Sequence, residues 1–307
     1  GNALDAEASA KIYAAKGRPS DNPLIVHIAD WEAIGAIVSA IPEAAKRLAD
    51  AFWPGPLTMI LNKSDLVPYA TTGGLETVAV RMPVNPIARA LIRAGGGYVA
   101  APSANTSGRP SPTKAEHVAE DLNGKIDMII DGGTVDIGLE STIVDLTDGA
   151  PTILRPGYIN QEMLTKVLGE VEMDRGLIAP ESGVHPKAPG MKYRHYAPKA
   201  DLIIVEGEAE KVRRKINELV QQQISEGKKV GVIGTDESLS YYKDGDVRSI
   251  GSRKDEITIA QHLFGLLREF DESDISVIYS EAFETPQIGQ AIMNRLIKAA
   301  GHQIIRV

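Results

Sequence analysis

Short apolar runs alternate with amphipathic stretches along almost the whole chain, and the alternation breaks only once. An apolar run of a few residues fits a buried strand, and a 3.6-residue period fits a helix lying on it. Their alternation therefore predicts an α/β layered fold. A helix is expected over residues 6–16, capped by Asp5 and ended by Gly17 and Pro19. Leu24–Ile28 reads as a strand. Two helical stretches follow, the second opening with Pro42 at its first helical position. Leu57–Leu61 and Val78–Arg81 read as further strands, and Pro86 opens another helix. Tyr98–Ala101 is a short strand running into a polar loop, after which Thr113 and Glu116 make a capping box. Ile126–Ile130, Thr142–Leu146 and Thr152–Leu154 are expected to complete the sheet, closed by a helix over 161–168.

The break falls at 169–199, which carries Pro180, Pro186, Pro189 and Pro198 with Gly176, Gly183 and Gly190. By composition this is a linker, but between His185 and Lys199 it holds Lys187, Lys192, Arg194 and Lys199 and no acid. Alternation then restarts. Strands are expected at 202–205, 229–233 and 275–279, with helices between and after them, as in a smaller Rossmann-like domain. The expected division is 1–168, a basic linker at 169–199, and 200–307. With 307 residues the chain has the length for about two domains.

Composition narrows the chemistry. Zero cysteines exclude thiol catalysis, disulfides, iron–sulfur clusters and Cys-type zinc sites. A formal net charge of −8 argues against a globally basic nucleic-acid binder while leaving room for a local basic site. No apolar run approaches the roughly 20 residues of a membrane helix, and nothing reads as a signal peptide, so a cytoplasmic protein is expected.

Four clusters carry candidate chemistry. Lys16-Gly17-Arg18-Pro19-Ser20-Asp21-Asn22 puts two cations, a hydroxyl and an amide on one tight loop, which suits polyphosphate oxygens or is a solvated loop. His27 follows on the adjoining strand, where a lone histidine is more often structural. Strand alternation places Thr77, Ala79 and Arg81 on one face. Arg81 could thus meet a substrate carboxylate, or pair with Glu76 or solvent on an edge strand. The third cluster, 101–113, is a Ser, Asn and Gly loop between strand and helix, able to offer N–H groups to anions or to be a plain Ser/Pro turn. It matches neither G-x-x-x-x-G-K-[ST] nor G-x-G-x-x-G. In the fourth, a two-residue turn at Asp148-Gly149 hairpins the strand after Ser141 onto the strand ending at Arg155, so that both reach one rim. No G-x-S-x-G elbow accompanies Ser141, so a nucleophilic serine is not expected. Together the clusters describe a site that positions anions without covalent attack.

The motifs K-G-R-P-S-D-N-P-L-I-V-H (16–27), W-P-G-P-L-T (53–58), A-P-S-A-N-x-S-G (101–108), G-L-E-S-T (138–142), L-R-P-G (154–157) and A-P-G-M-K-Y-R-H-Y-A-P (188–198) resemble those of threonylcarbamoyl-AMP synthases. These are the YrdC-like proteins, here in the long form with an extra C-terminal domain. The resemblance implies a twisted mixed sheet with a concave basic site, and synthesis of threonylcarbamoyl-AMP and pyrophosphate from L-threonine, bicarbonate and ATP. ATP would come with Mg²⁺, with no prosthetic group and no metal ligand from the chain. The product would serve tRNA threonylcarbamoyladenosine modification beside the anticodon, through downstream threonylcarbamoyl-transfer proteins.

Position by position, the resemblance implies ATP contacts at Arg18, Ser20, Asn22, Thr77, Ser103, Asn105, Ser111 and Arg155. Lys16, Arg18 and Arg155 would be the catalytic cations, and His27, Arg81, the backbone of Ala101, and Ser141 would hold threonine. Tyr193, Arg194, His195 and Tyr196 would fold over the nucleotide as a lid, which accounts for the acid-free linker. In the family a P-T-E-T-x-Y-G-L segment precedes the position of Gly1, so an N-terminal stretch with a strand or two is expected to be missing here. A rival reading is a factor that binds double-stranded RNA or tRNA on the same basic face, separable by its steep salt dependence. A carbamoyltransferase accessory protein is disfavoured by the absence of cysteine.

Overall fold

The computed structural model describes residues 1–177, 195–284 and 287–307. Its contacts divide the chain into two compact units. One comprises Gly1–Ser107, Val118–Gly132 and Glu140–Tyr193, and the other Gly108–His117, Gly133–Leu139 and Arg194–Val307.

The first unit is built on a mixed sheet of β1 (Ile25–His27), β2 (Leu57–Asn62), β3 (Thr77–Arg81), β4 (Val99–Ala101), β5 (Thr142–Asp145), β6 (Thr152–Arg155) and β7 (Glu172–Met173). The strand order is β4-β1-β3-β2-β5-β6-β7. The first helix, Ala6–Lys16, begins where the Asp5 carboxylate accepts from the Glu7 N–H at 2.8 Å. It ends at Gly17, whose φ of 62° lies in the left-handed region that closes a helix without a Cβ penalty. Pro86 sits in the first turn of helix Pro86–Ala94, capped by the Asn85 side chain.

Pairing register decides which side chains share a face. His27 lies opposite Arg81, Arg81 opposite Thr58, Thr58 opposite Ile143, and Ile143 opposite Arg155. Residues in register across a sheet point to the same side. Strands β1, β3, β2, β5 and β6 thus contribute one cross-sheet row, His27–Arg81–Thr58–Ile143–Arg155. On the opposite face Val26, Val80, Met59 and Val144 are all but inaccessible and belong to the main core. Burying each such side chain stabilises the fold by roughly 1.5–3 kcal/mol. Two residues along from the polar row, on its own face, Ile25, Ala79 and Ile60 join Ile143 and Leu154 in a smaller apolar cluster.

Several local expectations are overturned. Residues 126–130 form no strand, and Met128 there is 74% exposed. An apolar run alone is not enough without a neighbouring ladder for its backbone. Pro42 is the residue before helix Glu43–Phe52, with extended backbone, rather than its first helical residue. The capping box does not form: the helix is Ala115–Leu122, and the Thr113 N–H donates to His117 Nδ1 at 3.2 Å. The imidazole takes the role that Glu116 was expected to share. Strands β5 and β6 do pair antiparallel, but a six-residue loop, 146–151, replaces the two-residue turn. The Asp145 carboxylate opens that loop by accepting from Thr147 N–H at 3.0 Å and Thr147 Oγ1 at 2.6 Å.

The second unit carries five strands, all parallel: β8 (Asp201–Glu206), β9 (Val230–Gly234), β10 (Asp246–Ser249), β11 (Val277–Glu281) and β12 (Ile304–Arg306). Their order is β10-β9-β11-β8-β12. Helices Ala209–Ser225, Glu256–Asp271 and Gly289–Ala299 follow β8, β10 and β11. Both edge strands, β10 and β12, escaped the sequence reading. Among the described residues no helix is long and apolar enough to cross a membrane.

Candidate active site

The loop after the first helix folds around its own cations. Arg18 donates from Nε to the Asn22 carbonyl at 3.2 Å and from Nη2 to the Pro23 carbonyl at 3.0 Å. Tyr13 reaches the same Asn22 carbonyl at 3.2 Å. Lys16 turns the other way, donating to the carbonyl of Ser103 at 2.5 Å, to the carbonyl of Asn105, and to Asn105 Oδ1 at 3.3 Å. The Lys-x-Arg loop and the 101–107 loop, far apart in sequence, are therefore one cluster, joined further by Ser107 N–H donating to the Lys16 carbonyl at 2.9 Å. Burial, and then the nearby Arg18 guanidinium, pull the Lys16 ammonium down to about 7. Such an amine gains charge when an anion arrives. Asn22 Oδ1 is buried without a hydrogen-bond partner, an acceptor held in reserve beside these cations.

The cross-sheet row supplies the second cluster. Arg155 donates from Nε to the Ser141 carbonyl at 2.9 Å and from Nη2 to Ser141 Oγ at 3.1 Å. Ser141 Oγ also lies 2.7 Å from Thr58 Oγ1. Gly157 must lack a side chain here, because a Cβ would come within 2.6 Å of the Thr142 nitrogen. Arg81 stands on an interior strand, not an edge, and donates from Nε to the Gly55 carbonyl at 3.1 Å. Glu76 is engaged by the Tyr69 hydroxyl at 2.8 Å instead, so the Arg81–Glu76 pair does not form. Burial, and then the Arg155 guanidinium, lower Arg81 to about 10. Two guanidiniums repelling each other on one sheet face make a ready site for an anion.

His27 completes the row. Its Nδ1 is buried without a partner, and burial, followed by the Arg81 charge, drops the imidazole to about 3. It is neutral at physiological pH and has one acceptor or donor position to offer a ligand. Ala101 pairs with Ile25 on the neighbouring strand, half-buried.

The remaining candidates are more scattered. Thr77 starts β3 opposite Asn62, at the other end of the strand from Arg81, four residues away on the same face. Ser20, on the Arg18 loop, and Ser103 are both exposed. Ser111 is buried in the second unit, on a loop whose Pro110 carbonyl accepts from Arg268 Nε at 3.1 Å and Nη2 at 2.7 Å. His195 and Tyr196 also belong to the second unit, with Tyr196 packed on Phe264 at 5.0 Å between ring centroids. Tyr193 and Arg194 lie outside the described residues. Among the described residues no group of three or more His, Asp and Glu side chains is arranged to hold a metal.

Thr58 and Gly55 were missed as site residues although the W-P-G-P-L-T motif contains both. The signal was the single hydroxyl in an otherwise apolar strand. Arg268, wholly buried in a helix of the second unit, gave no sequence signal at all.

Comparison with known proteins identifies the family. A family model described as Telomere recombination, covering the Sua5, YciO and YrdC proteins, matches residues 1–157. A second, described as Threonylcarbamoyl-AMP synthase, C-terminal domain, matches residues 159–301. The chain is 53% identical to a Pyrococcus abyssi threonylcarbamoyl-AMP synthase over 100% of its own length and 88% of that protein's. It is 49% identical to the Bacillus subtilis enzyme of the same name, over 99% of its own length and 87% of that protein's. The crystal structure of P. abyssi Sua5 complexed with L-threonine superposes with a TM-score of 0.94 at 52% identity, covering 100% of this chain and 88% of that one. The chain belongs to the threonylcarbamoyl-AMP synthase family.

Proposed function

We propose that the polar row and the Lys16–Arg18 loop of the first unit form the site at which this enzyme makes threonylcarbamoyl-AMP from L-threonine, bicarbonate and ATP. The observation that carries the assignment is the pairing of Arg81 with Arg155 on one sheet face, where among the described residues no carboxylate pairs with Arg81. Every reacting species is anionic, so the site has to supply cations and N–H or O–H donors rather than a nucleophile.

The threonine amine condenses with bicarbonate to give a carbamate and water. A carbamate oxygen then bonds to the α-phosphorus as the bond to the β-phosphate oxygen breaks, and pyrophosphate leaves with its Mg²⁺. Mg²⁺ enters as part of the MgATP substrate. Lys16 and Arg18 hold the phosphates, and Ser20, Asn22, Ser103 and Asn105 orient them. Arg81, His27, Ser141 and the Ala101 backbone hold threonine. Arg155, touching Ser141 on one side, faces the α-phosphate on the other, so that it stabilises the charge passing between the two substrates. Thr77 reaches the nucleotide from the far end of β3. For Ser111, His195 and Tyr196 we propose nucleotide contacts on the resemblance alone. The adenylate then passes to a tRNA threonylcarbamoyl-transfer protein, and the cytoplasm, where threonine, ATP and tRNA meet, is the proposed compartment.

The test is to incubate the protein with MgATP, ¹³C-bicarbonate and L-threonine and to look for labelled threonylcarbamoyl-AMP by mass spectrometry. Labelled product that disappears when valine replaces threonine supports the reading. Pyrophosphate released at the same rate without any amino acid contradicts it.

A further inference from the structure

Ser141 cannot set its own polarity. A hydroxyl has one hydrogen to give and two lone pairs to offer, and which of these faces a ligand depends on what its neighbours take. Arg155 can only donate, so its Nη2 at 3.1 Å occupies one lone pair of Ser141 Oγ. The second neighbour is Thr58, whose Oγ1 lies 2.7 Å away with either atom able to donate.

Burial resolves the direction. Thr58 is fully inaccessible to solvent, and Ser141 Oγ is the one hydrogen-bond partner of its hydroxyl among the described residues. Were Ser141 the donor, the Thr58 hydrogen would be buried with nothing to accept it, the costly arrangement for a polar group. With Thr58 as donor, its hydrogen is satisfied and the second lone pair of Ser141 is taken. The only capacity left on Ser141 is its own hydrogen, which has no acceptor within the described protein.

We infer that Thr58 is a positioning residue that makes Ser141 an obligate hydrogen-bond donor toward the substrate, committing this subsite to a carboxylate. Thr58 lies in register with Arg81 on the neighbouring strand and touches Ser141 through its hydroxyl, so Thr58 joins Ser141 to the face that carries the Arg81 guanidinium. A donor and a guanidinium on one face suit the two oxygens of an amino-acid carboxylate. A free amine or an amide N–H in the same place would meet donors only. The inference rests on the threonine site proposed above and adds which end of threonine meets Ser141, and why.

Thr58→Val keeps the shape of the side chain and removes the hydroxyl, while Thr58→Ser keeps the hydroxyl. In the full chain, Thr58→Val is expected to raise the threonine KM and the calorimetric threonine Kd about tenfold, with the ATP KM and kcat within about twofold of wild type. Thr58→Ser should restore threonine binding. In the unsubstituted protein, L-threoninamide should bind at least about tenfold more weakly than L-threonine. That arm needs no variant to fold.

The inference is overturned if Thr58→Val leaves threonine affinity unchanged, or if the ATP and threonine constants rise together, which would make Thr58 a plain structural residue. Threoninamide binding as tightly as threonine would also overturn it. Either result, with threonine binding intact in the wild type, leaves the threonine site standing. Absence of threonine binding in the wild type would remove both readings.

Discussion

The two sheets treat their polar residues in opposite ways. In the first unit, the row His27–Arg81–Thr58–Ile143–Arg155 puts two guanidiniums on one sheet face, with an unpartnered imidazole nitrogen at one end. In the second unit, the carboxyl ends of the parallel strands, where such sheets often bind ligands, carry a network closed on itself. Glu281 there accepts from the Tyr242 hydroxyl at 2.6 Å and from Arg253 at 2.6 Å. The two glycines of β9, Gly231 and Gly234, are explained by packing. A Cβ on Gly231 would stand 2.7 Å from Phe270, and one on Gly234 would stand 2.9 Å from Ser238 Oγ. A partly buried cation such as Arg81, with no carboxylate partner among the described residues, costs stability and persists where a ligand compensates it. Charges already compensated hold structure. The contrast favours the site proposed above in the first unit.

The sharpest way to break this contrast is to truncate Arg155. Arg155→Ala is expected to lower kcat/KM for threonylcarbamoyl-AMP formation about 10³-fold, in line with the loss of one preorganised donor at a developing charge, measured by pyrophosphate release. Activity within tenfold of wild type would remove Arg155 from the reaction.

Next in size is acid stability. The folded His27 imidazole, held near 3 by burial and by Arg81, titrates below its unfolded value. The unfolded chain therefore takes up the proton first, and stability falls as pH drops below about 6.5 toward 3. Between pH 7 and pH 4 this one group should cost roughly 3 kcal/mol of unfolding free energy. Urea titrations at the two pH values should show the loss in the wild type and a smaller one in His27→Asn.

The second unit should answer differently. Tyr242→Phe removes a buried hydrogen bond to Glu281, and is expected to lower the unfolding free energy by about 1–2 kcal/mol. The kcat/KM per folded molecule should be unchanged. A loss of activity without a loss of stability would move chemistry into the second unit.

The smallest effect is the most specific. Lys16, pulled down to about 7 by burial and Arg18, should regain its proton when phosphates bind. Calorimetric ATP titrations near pH 7.5, in buffers of differing ionisation enthalpy, should show uptake of about half a proton or more per nucleotide. Lys16→Met should abolish that uptake.

Much of this was legible in the sequence because strands buried on both faces read as apolar runs. Strands β1, β2, β3, β5 and β6 were found that way, as were the helices with clear stop signals such as Gly17. The misses share a cause. The edge strands β10 and β12 are short, with half-buried or exposed residues, so they lack the apolar signal. Residues 126–130 carry that signal without a strand. At the site, Lys16, Arg18, Arg81 and Arg155 stood out as cations at loop and strand ends. The convergence of Lys16 on the Ser103 and Asn105 carbonyls, 87 and 89 residues away, depends on tertiary pairing that no local pattern carries. Thr58 was hidden for the opposite reason. One hydroxyl in Leu-Thr-Met-Ile-Leu looks like a strand residue until β2 is set in register against Arg81.

The most direct test of an anion-binding, threonine-dependent site in the first unit is a threonine titration of pyrophosphate release, run side by side on wild type and Arg81→Ala. Expected is saturable, threonine-dependent release in the wild type, with the threonine KM raised by about 10²-fold in the variant. Equal threonine dependence in the two proteins, or release that ignores threonine altogether, would contradict the assignment.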